Sequence, residues 1–508
     1  MIEDQVAPGK LHAVTESPAD AIDLFLSASV HHANALAIRS GPGSITYAAL
    51  ARRVRAYAAA FARFSEPRVL IALPRGLDAY AAMLAAGLAG GFYATVGEAL
   101  PIDRINNIIG QFQPNIVVAA TAMARPLAAS APWATFILPA DLNTLASFSG
   151  RGMRHPTALV MFSNAPEPVG LAIPRLALNS TIAWIAASGT IRPKDTVSQY
   201  SNLAFELSLL EIYGSLCMGA SLVPVTGLGD RLQPSRVIAR ERISVWVSPP
   251  SVIDMMRCTG VLSMVDMASI RLFVLAGEPL LREQVEMLFA LCPHAAVAYG
   301  FVAPEVTSLA TQVALTAKDY ARACHGSTVS IGAPVAGMDV QLVGGKTPNQ
   351  GDMVLTGKLL AEPIAADPAN GPGRTGAADA PARRFTTGLW AERRGGLLFQ
   401  APRPAREVRV GGQKVILEDV AGAIRRCGWS GVCVFPFAGG LAAIVEGPES
   451  ESLDCEALRN VLATRLPPHA VPARIAAVRG LPRDENDRID TAGAITVFQS
   501  LNPISEVA

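Results

Sequence analysis

Val69-Leu-Ile-Ala-Leu73 and, after a Pro-Arg-Gly turn, the alanine-rich stretch Asp78 to Leu88 set a short, wholly apolar run beside a helix-forming one. A strand with no polar alternation is buried on both faces, as in a parallel sheet covered by helices. The same pattern recurs at Ile116-Val-Val-Ala-Ala120, Ala158-Leu-Val-Met-Phe162 and Leu272-Phe-Val-Leu-Ala276, so the chain reads as α/β with parallel sheets. Between Ala365 and Arg384 the residues turn to Ala, Gly, Pro, Asp and Arg, which cannot bury a core face and predict a flexible surface loop. A second break at Pro402-Arg-Pro-Ala-Arg406 precedes a strand, turn and helix pattern over Val408 to Ile424. The expected organisation is a large domain over 1–402 with packed sheets flanked by helices, a hinge over 403–406 and a small α+β domain over 407–508.

At 508 residues the chain is too long for a single core. Its net charge of +1 supplies neither the basic field of a nucleic-acid binder nor an acidic tail. Mean hydropathy is high at +0.32, but alanine and valine spread along the chain account for it, and no apolar run approaches the roughly 18 residues of a membrane span. Met1-Ile-Glu-Asp-Gln5 has neither the basic nor the apolar part of a signal peptide, so a cytoplasmic location is expected. The seven cysteines are scattered with no C-x-x-C spacing and read as small buried hydrophobes. Cys324-His325 is no nucleophile and base pair, because chain neighbours rarely face one another.

Several strings follow one another in a recognisable order. Ile45-Thr-Tyr-Ala-Ala-Leu50 comes first, then Ala86-Gly-Leu-Ala-Gly-Gly-Phe-Tyr93 with Pro101-Ile-Asp-Arg104. Phe205-Glu-Leu-Ser-Leu-Leu-Glu-Ile-Tyr-Gly214 is followed by Ala276-Gly-Glu-Pro-Leu280 and by Tyr299-Gly300 with Pro304-Glu-Val-Thr307. Ser330-Ile-Gly-Ala-Pro334, Gly351-Asp-Met-Val-Leu-Thr-Gly357, Val408 to Glu418 and Leu481-Pro-Arg-Asp-Glu-Asn-Asp-Arg-Ile-Asp490 complete the series. In content and order it resembles the adenylate-forming superfamily of acyl-CoA synthetases, luciferases and peptide-synthetase adenylation domains, and among these the stand-alone amino-acid-activating members.

The resemblance implies ATP and Mg²⁺ as cofactors and assigns roles by position. Arg488 stands where the family carries the catalytic lysine, Arg403 at the hinge arginine and Glu305 at the Mg²⁺ glutamate, a hard oxygen ligand suited to that cation. The nucleotide would meet Ser163, Asn164, Gly170, Gly277, Glu278, Tyr299, Gly300 and Thr387, with Tyr299 near adenine. Glu206 matches the acid that pairs with a substrate α-ammonium; Leu207, Leu210, Val247, Val274, Ala276, Ala298, Ser308 and Leu309 match the acyl pocket. Their small or aliphatic character implies an apolar side chain of modest size. The mobile small domain would turn about the hinge after adenylation.

Departures from the pattern gather around the nucleotide. Val169 replaces the phosphate-loop lysine and Pro166 a glycine, removing a charge and an N–H. Leu389 replaces the aspartate that holds the ribose hydroxyls, and leucine accepts no hydrogen bond. Ala405 replaces the hinge aspartate, and Arg488 offers a planar fork in place of a compact ammonium. Two function classes follow. One is ATP-dependent activation of a carboxylic acid, a small or medium apolar amino acid, with transfer to the phosphopantetheine thiol of a carrier protein or to CoA. The other is a non-adenylating relative that binds a partner or keeps only the thioester step. Neither involves nucleic acid or a membrane.

Overall fold

The structure is a computed structural model that describes residues 18–501 except 42, 98–99, 143–145, 147, 151–152, 164–167, 259–265, 308, 346, 365–381, 402–406, 428, 430, 447–454, 483–488 and 490. The chain divides into two compact units, Met1–Gln400 and Ala401–Ala508. Most of the stretch read as a surface loop, 365–381, and the expected hinge lie outside the described residues.

In the first unit the apolar runs become parallel strands, as their lack of alternation requires. One sheet of seven strands runs in the order Glu362–Pro363, Gly170–Pro174, Thr157–Phe162, Phe92–Thr95, Arg68–Ala72, Ile116–Ala119 and Thr135–Ile137. Its central members are parallel and only the Gly170–Pro174 side is antiparallel. A second sheet of nine strands has Leu272–Ala276, Val245–Ser248, Thr196–Gln199 and Ser221–Pro224 as its parallel middle, with Ala296–Gly300 joined to them. One apolar cluster joins residues of both sheets to the helices Ala21–His31, Tyr47–Phe61, Leu77–Leu88, Arg175–Ser188 and Glu206–Met218. This is the layered α/β arrangement that buries sheet faces against helices. A four-stranded antiparallel sheet, Asp339–Gly344 to Leu397–Gln400, completes the unit.

The second unit is α+β. A hairpin, Glu407–Val410 with Gln413–Ile416, leads into helix Leu417–Arg425, and a three-stranded sheet follows with helices Cys455–Ala463 and Thr491–Leu501. Its core comes from Val415, Leu417 and Ile424, in the stretch read as strand, turn and helix, and from Val434 and Ala443 of the three-stranded sheet. Among the described residues no helix is long and apolar enough to cross a membrane.

The cysteines behave as small hydrophobes at the most enclosed positions described: Cys217, Cys292 and Cys433 are buried. Cys324 directs its sulfur at the Tyr320 carbonyl, 3.4 Å away, while the His325 ring meets Phe399. Successive strand residues point to opposite faces, so the two form no dyad.

Candidate functional site

Parallel α/β sheets present ligand-binding groups beyond the carboxyl ends of their strands, where loops lead into helices. Most of the motif residues lie at such ends. Strand Thr157–Phe162 delivers Ser163, and its loop returns at Val169. The mouth is closed reciprocally: Ser163 N–H donates to the Val169 carbonyl at 3.0 Å, and Val169 N–H to Ser163 Oγ at 3.0 Å. Arg104 donates to the Ser163 carbonyl at 2.7 Å, and Gln111 bonds both Pro168 and Gly170, so the loop base is firmly set. Among the described residues Ser163 Oγ donates to no acceptor, whereas Val169, 45% exposed, brings a hydrocarbon to the rim. Asn164 and Pro166 lie outside the described residues.

The acyl-pocket residues come together more completely. Val247, Val274 and Ala298 stand opposite one another on three adjacent parallel strands, forming one row across the sheet. Leu207 and Leu210 from helix Glu206–Met218, together with Ala276 and Leu309, join them in a single buried apolar cluster. Ser308 lies outside the described residues. Glu206 opens that helix and is 8% exposed. Burial raises its pKa above the ordinary carboxylate value, its own backbone N–H opposes that rise, and the charge of Glu305 adds to it. No cation of the described residues acts on it. Such a carboxylate is costly unless a positive ligand completes it.

Glu305 sits on the 3₁₀ turn Pro304–Val306, half-buried, with its carbonyl accepting from Ala361 N–H at 2.8 Å. Burial raises its pKa as well. Thr307 follows with φ of 71°, a left-handed value that strains a β-branched residue, and its buried hydroxyl has no partner among the described residues. Nothing in the sequence marks that strain.

At the next strand end Gly277 adopts φ of 90°, and the turn it makes places Glu278 so that its carboxylate accepts Ser251 N–H at 2.9 Å. Tyr299 pins this turn: its hydroxyl donates to the Glu278 carbonyl and accepts Leu280 N–H, each at 3.1 Å. The ring is only 2% exposed, and burial raises the phenol pKa to about 12. Stacking on adenine, expected from the sequence, would require that turn to open. Gly300 is needed for a steric reason, since a Cβ there would lie 1.9 Å from the Thr311 carbonyl oxygen.

Thr387 donates to the Met353 carbonyl at 2.8 Å and accepts Leu389 N–H at 3.1 Å, so its hydroxyl is engaged within the protein. Leu389 packs against the core formed by the nine-stranded and four-stranded sheets. The residue matched to the family's ribose aspartate is therefore built into hydrophobic packing. Replacing Leu389 by aspartate is expected to lower unfolding stability by about 1–2 kcal/mol, measured as a shift in urea midpoint, because the carboxylate meets apolar neighbours. Arg403, Ala405 and Arg488 lie outside the described residues.

Glu211, one helical turn beyond Glu206, has a structural role the sequence did not disclose. It is fully buried and accepts from Tyr200 N–H, Ser201 N–H, Ser201 Oγ and Gln199 Nε2. Burial raises its pKa from 4.5 to about 8 despite those four donors. A carboxyl with an elevated native pKa keeps a proton that the unfolded chain has released. Its contribution to stability is thus complete below pH 4.5 and is lost as pH rises through about 8. Glu211→Gln is expected to flatten this fall, read from urea midpoints at the two ends of the window.

A sequence profile of the AMP-binding enzyme family matches residues 25–144 and 172–362, which together are more than half of the chain. The chain belongs to the AMP-binding enzyme family. The L-proline--[L-prolyl-carrier protein] ligase of Streptomyces coelicolor is 24% identical across 89% of this chain and 91% of its own. Phenyloxazoline synthase MbtB of a Mycobacterium species is 26% identical across 92% of this chain, which spans 41% of that longer protein. In fold, the structure of IdnL7 agrees with a TM-score of 0.69 at 24% identity, covering 96% of this chain and 100% of that one. The Vibrio cholerae adenylation domain AlmE, solved with glycyl-adenosine-5'-phosphate, agrees with a TM-score of 0.64 at 21% identity, covering 97% and 100%.

Proposed function

We propose that this chain is an amino-acid-activating ligase: it joins an amino acid with a small or medium apolar side chain to AMP, releases pyrophosphate, and passes the aminoacyl group to a carrier-protein thiol. The buried carboxylate of Glu206, on which no cation of the described residues acts, carries this reading, together with the apolar cluster that holds its chain neighbour Leu207 with Val247, Val274 and Ala298. A group that needs an ammonium, set against hydrocarbon, fits an apolar amino acid better than a fatty or aromatic acid. The proline-specific ligase of Streptomyces coelicolor, related along nearly its whole length, supports the same class.

In the proposed reaction a substrate carboxylate oxygen attacks the α-phosphorus of ATP and pyrophosphate leaves. The acceptor thiolate then attacks the acyl carbon, and AMP departs with the electron pair of the broken C–O bond. Bound Mg²⁺ would offset phosphate charge, with Glu305 as its described carboxylate. Arg488 and Arg403 would supply the remaining positive charge, and 403–406 would serve as hinge between a 1–402 adenylation unit and 407–508. Glu206 orients the substrate, and the apolar row excludes water from the acyl group. Thr387 would meet the nucleotide only with its hydroxyl already bonded within the protein, and Leu389 offers the ribose no acceptor where the family carries an aspartate. A weakened hold on the nucleotide therefore accompanies an intact acyl pocket.

The test is ATP–pyrophosphate exchange across a panel of apolar amino acids, with calorimetric titration of ATP alongside. Amino-acid-dependent exchange supports the proposal. No exchange, with no ATP binding at millimolar concentration, would instead identify a non-adenylating relative.

A further inference from the structure

Arg75 and Arg231 come from distant parts of the sequence and meet on one carbonyl oxygen. Arg75 follows strand Arg68–Ala72 of the seven-stranded sheet, and Arg231 lies on the short helix Leu228–Leu232 after strand Ser221–Pro224 of the nine-stranded sheet. Arg75 Nη1 donates to the Tyr200 carbonyl at 2.6 Å and Arg231 Nη1 to the same oxygen at 3.0 Å. The Arg231 guanidinium also lies over the Tyr200 ring, 4.5 Å from its centroid. On the other side of this peptide, Ser201 N–H faces the buried carboxyl group of Glu211. Each arginine side chain carries five N–H donors, and the carbonyl takes one from each.

Two cations thus share a neutral acceptor. Among the described residues neither has an ion pair with a carboxylate: nearby Asp230 is taken by Arg240, and Glu211 acts on Arg75 from across the peptide. Burial, followed by repulsion from Arg231, lowers the Arg75 pKa. Both side chains are only partly covered, so their remaining donors can reach a ligand. We propose that Arg75 and Arg231 form a phosphate-binding subsite at the carboxyl ends of strands Arg68–Ala72 and Thr196–Gln199, taking the phosphate group of a phosphoester. Planar, weakly hydrated guanidinium forks suit phosphate oxygens, and stacking on Tyr200 orients one fork in advance.

The place is distinct from the phosphate loop. Strand Phe92–Thr95 separates Arg68–Ala72, which leads to Arg75, from Thr157–Phe162, which leads to Ser163. Leu228 and Leu232, 74% and 48% exposed, flank Arg231 and offer apolar contact to the organic part of an ester. The same chemistry has two sources, the arm of a phosphopantetheine thiol donor and the nucleotide itself. The subsite stands without the ligase reading, although the first source would tie it to acceptor binding.

The experiment is calorimetric titration of inorganic phosphate into the full chain at constant ionic strength in chloride. Arg231→Gln should weaken phosphate binding at least tenfold, and Arg231→Lys should fall between, keeping the charge without the fork. Thermal unfolding in chloride confirms that each variant is folded. Arg75→Gln should show the same loss, and Arg231→Gln decides alone if that variant does not fold. Equal phosphate affinity in the parent and in Arg231→Gln overturns the proposal. Displacement of phosphate by 4′-phosphopantetheine assigns the thiol arm, displacement by ATP assigns the nucleotide, and displacement by neither overturns the phosphoester class. ATP–pyrophosphate exchange on the same preparations reports separately on the ligase reading, whose failure would leave the phosphate result standing.

Discussion

Glu206→Ala is expected to lower kcat/KM for amino-acid-dependent pyrophosphate exchange by at least about 30-fold while leaving the protein folded. Truncating one partner of a buried charge pair costs about 2–5 kcal/mol, and each 1.4 kcal/mol is about a factor of ten. Glu206 is 8% exposed and no cation of the described residues acts on it, so the substrate ammonium would be the missing partner. Stability should respond in the opposite direction. A buried, unpaired carboxylate is unfavourable in the free protein, so the alanine variant should have a urea midpoint no lower than the parent's. Specificity should change too: a carboxylic acid lacking the amine would no longer face an unpaired acid, and its exchange relative to the amino acid should rise. Unchanged amino-acid dependence in the alanine variant would remove the ammonium assignment, whatever the activity level.

Val169→Lys should tighten ATP binding about tenfold, measured by calorimetry, with no loss of stability. Val169 is 45% exposed where the loop returns, and its backbone already closes the loop through Ser163 on both sides. A lysine can therefore be added without disturbing packing, and a hydrogen bond to a charged group contributes about 1.5–3 kcal/mol. Exposure and screening place the expected gain at the lower end. Leu389 gives the contrast, because an aspartate there would be set among apolar side chains. Of the two nucleotide-side substitutions described by the structure, one is thus open to restoration and the other is not. An unchanged ATP affinity in Val169→Lys would mean that the loop does not cradle phosphate.

Much of the architecture was legible because its causes are local. Wholly apolar runs such as Val69–Leu73 and Leu272–Ala276 can satisfy their side chains only between covered faces, and they became central parallel strands. For the candidate site, the match of Phe205 to Gly214 singled out Glu206 as an acid at a helix start, and the Gly277 turn was legible because its backbone needs a left-handed glycine. Tyr299 was less so. A motif can say that an aromatic belongs there, but the burial of its ring and its grip on Glu278 and Leu280 depend on packing from other elements.

The sequence by itself determined the α/β class, the order of motifs from Ile45 to Asp490, the acid at 206 and the loss of lysine and aspartate at 169 and 389, since each is a matter of residue type and spacing. The tertiary structure alone decided that Val247, Val274 and Ala298 form one row, that Leu389 faces the core while Val169 faces outward, and that Arg75 and Arg231 converge on Tyr200. These depend on strand register and on which sheet ends meet, and residues far apart in the chain acquire a common electrostatic environment only after the long-range pairings have formed.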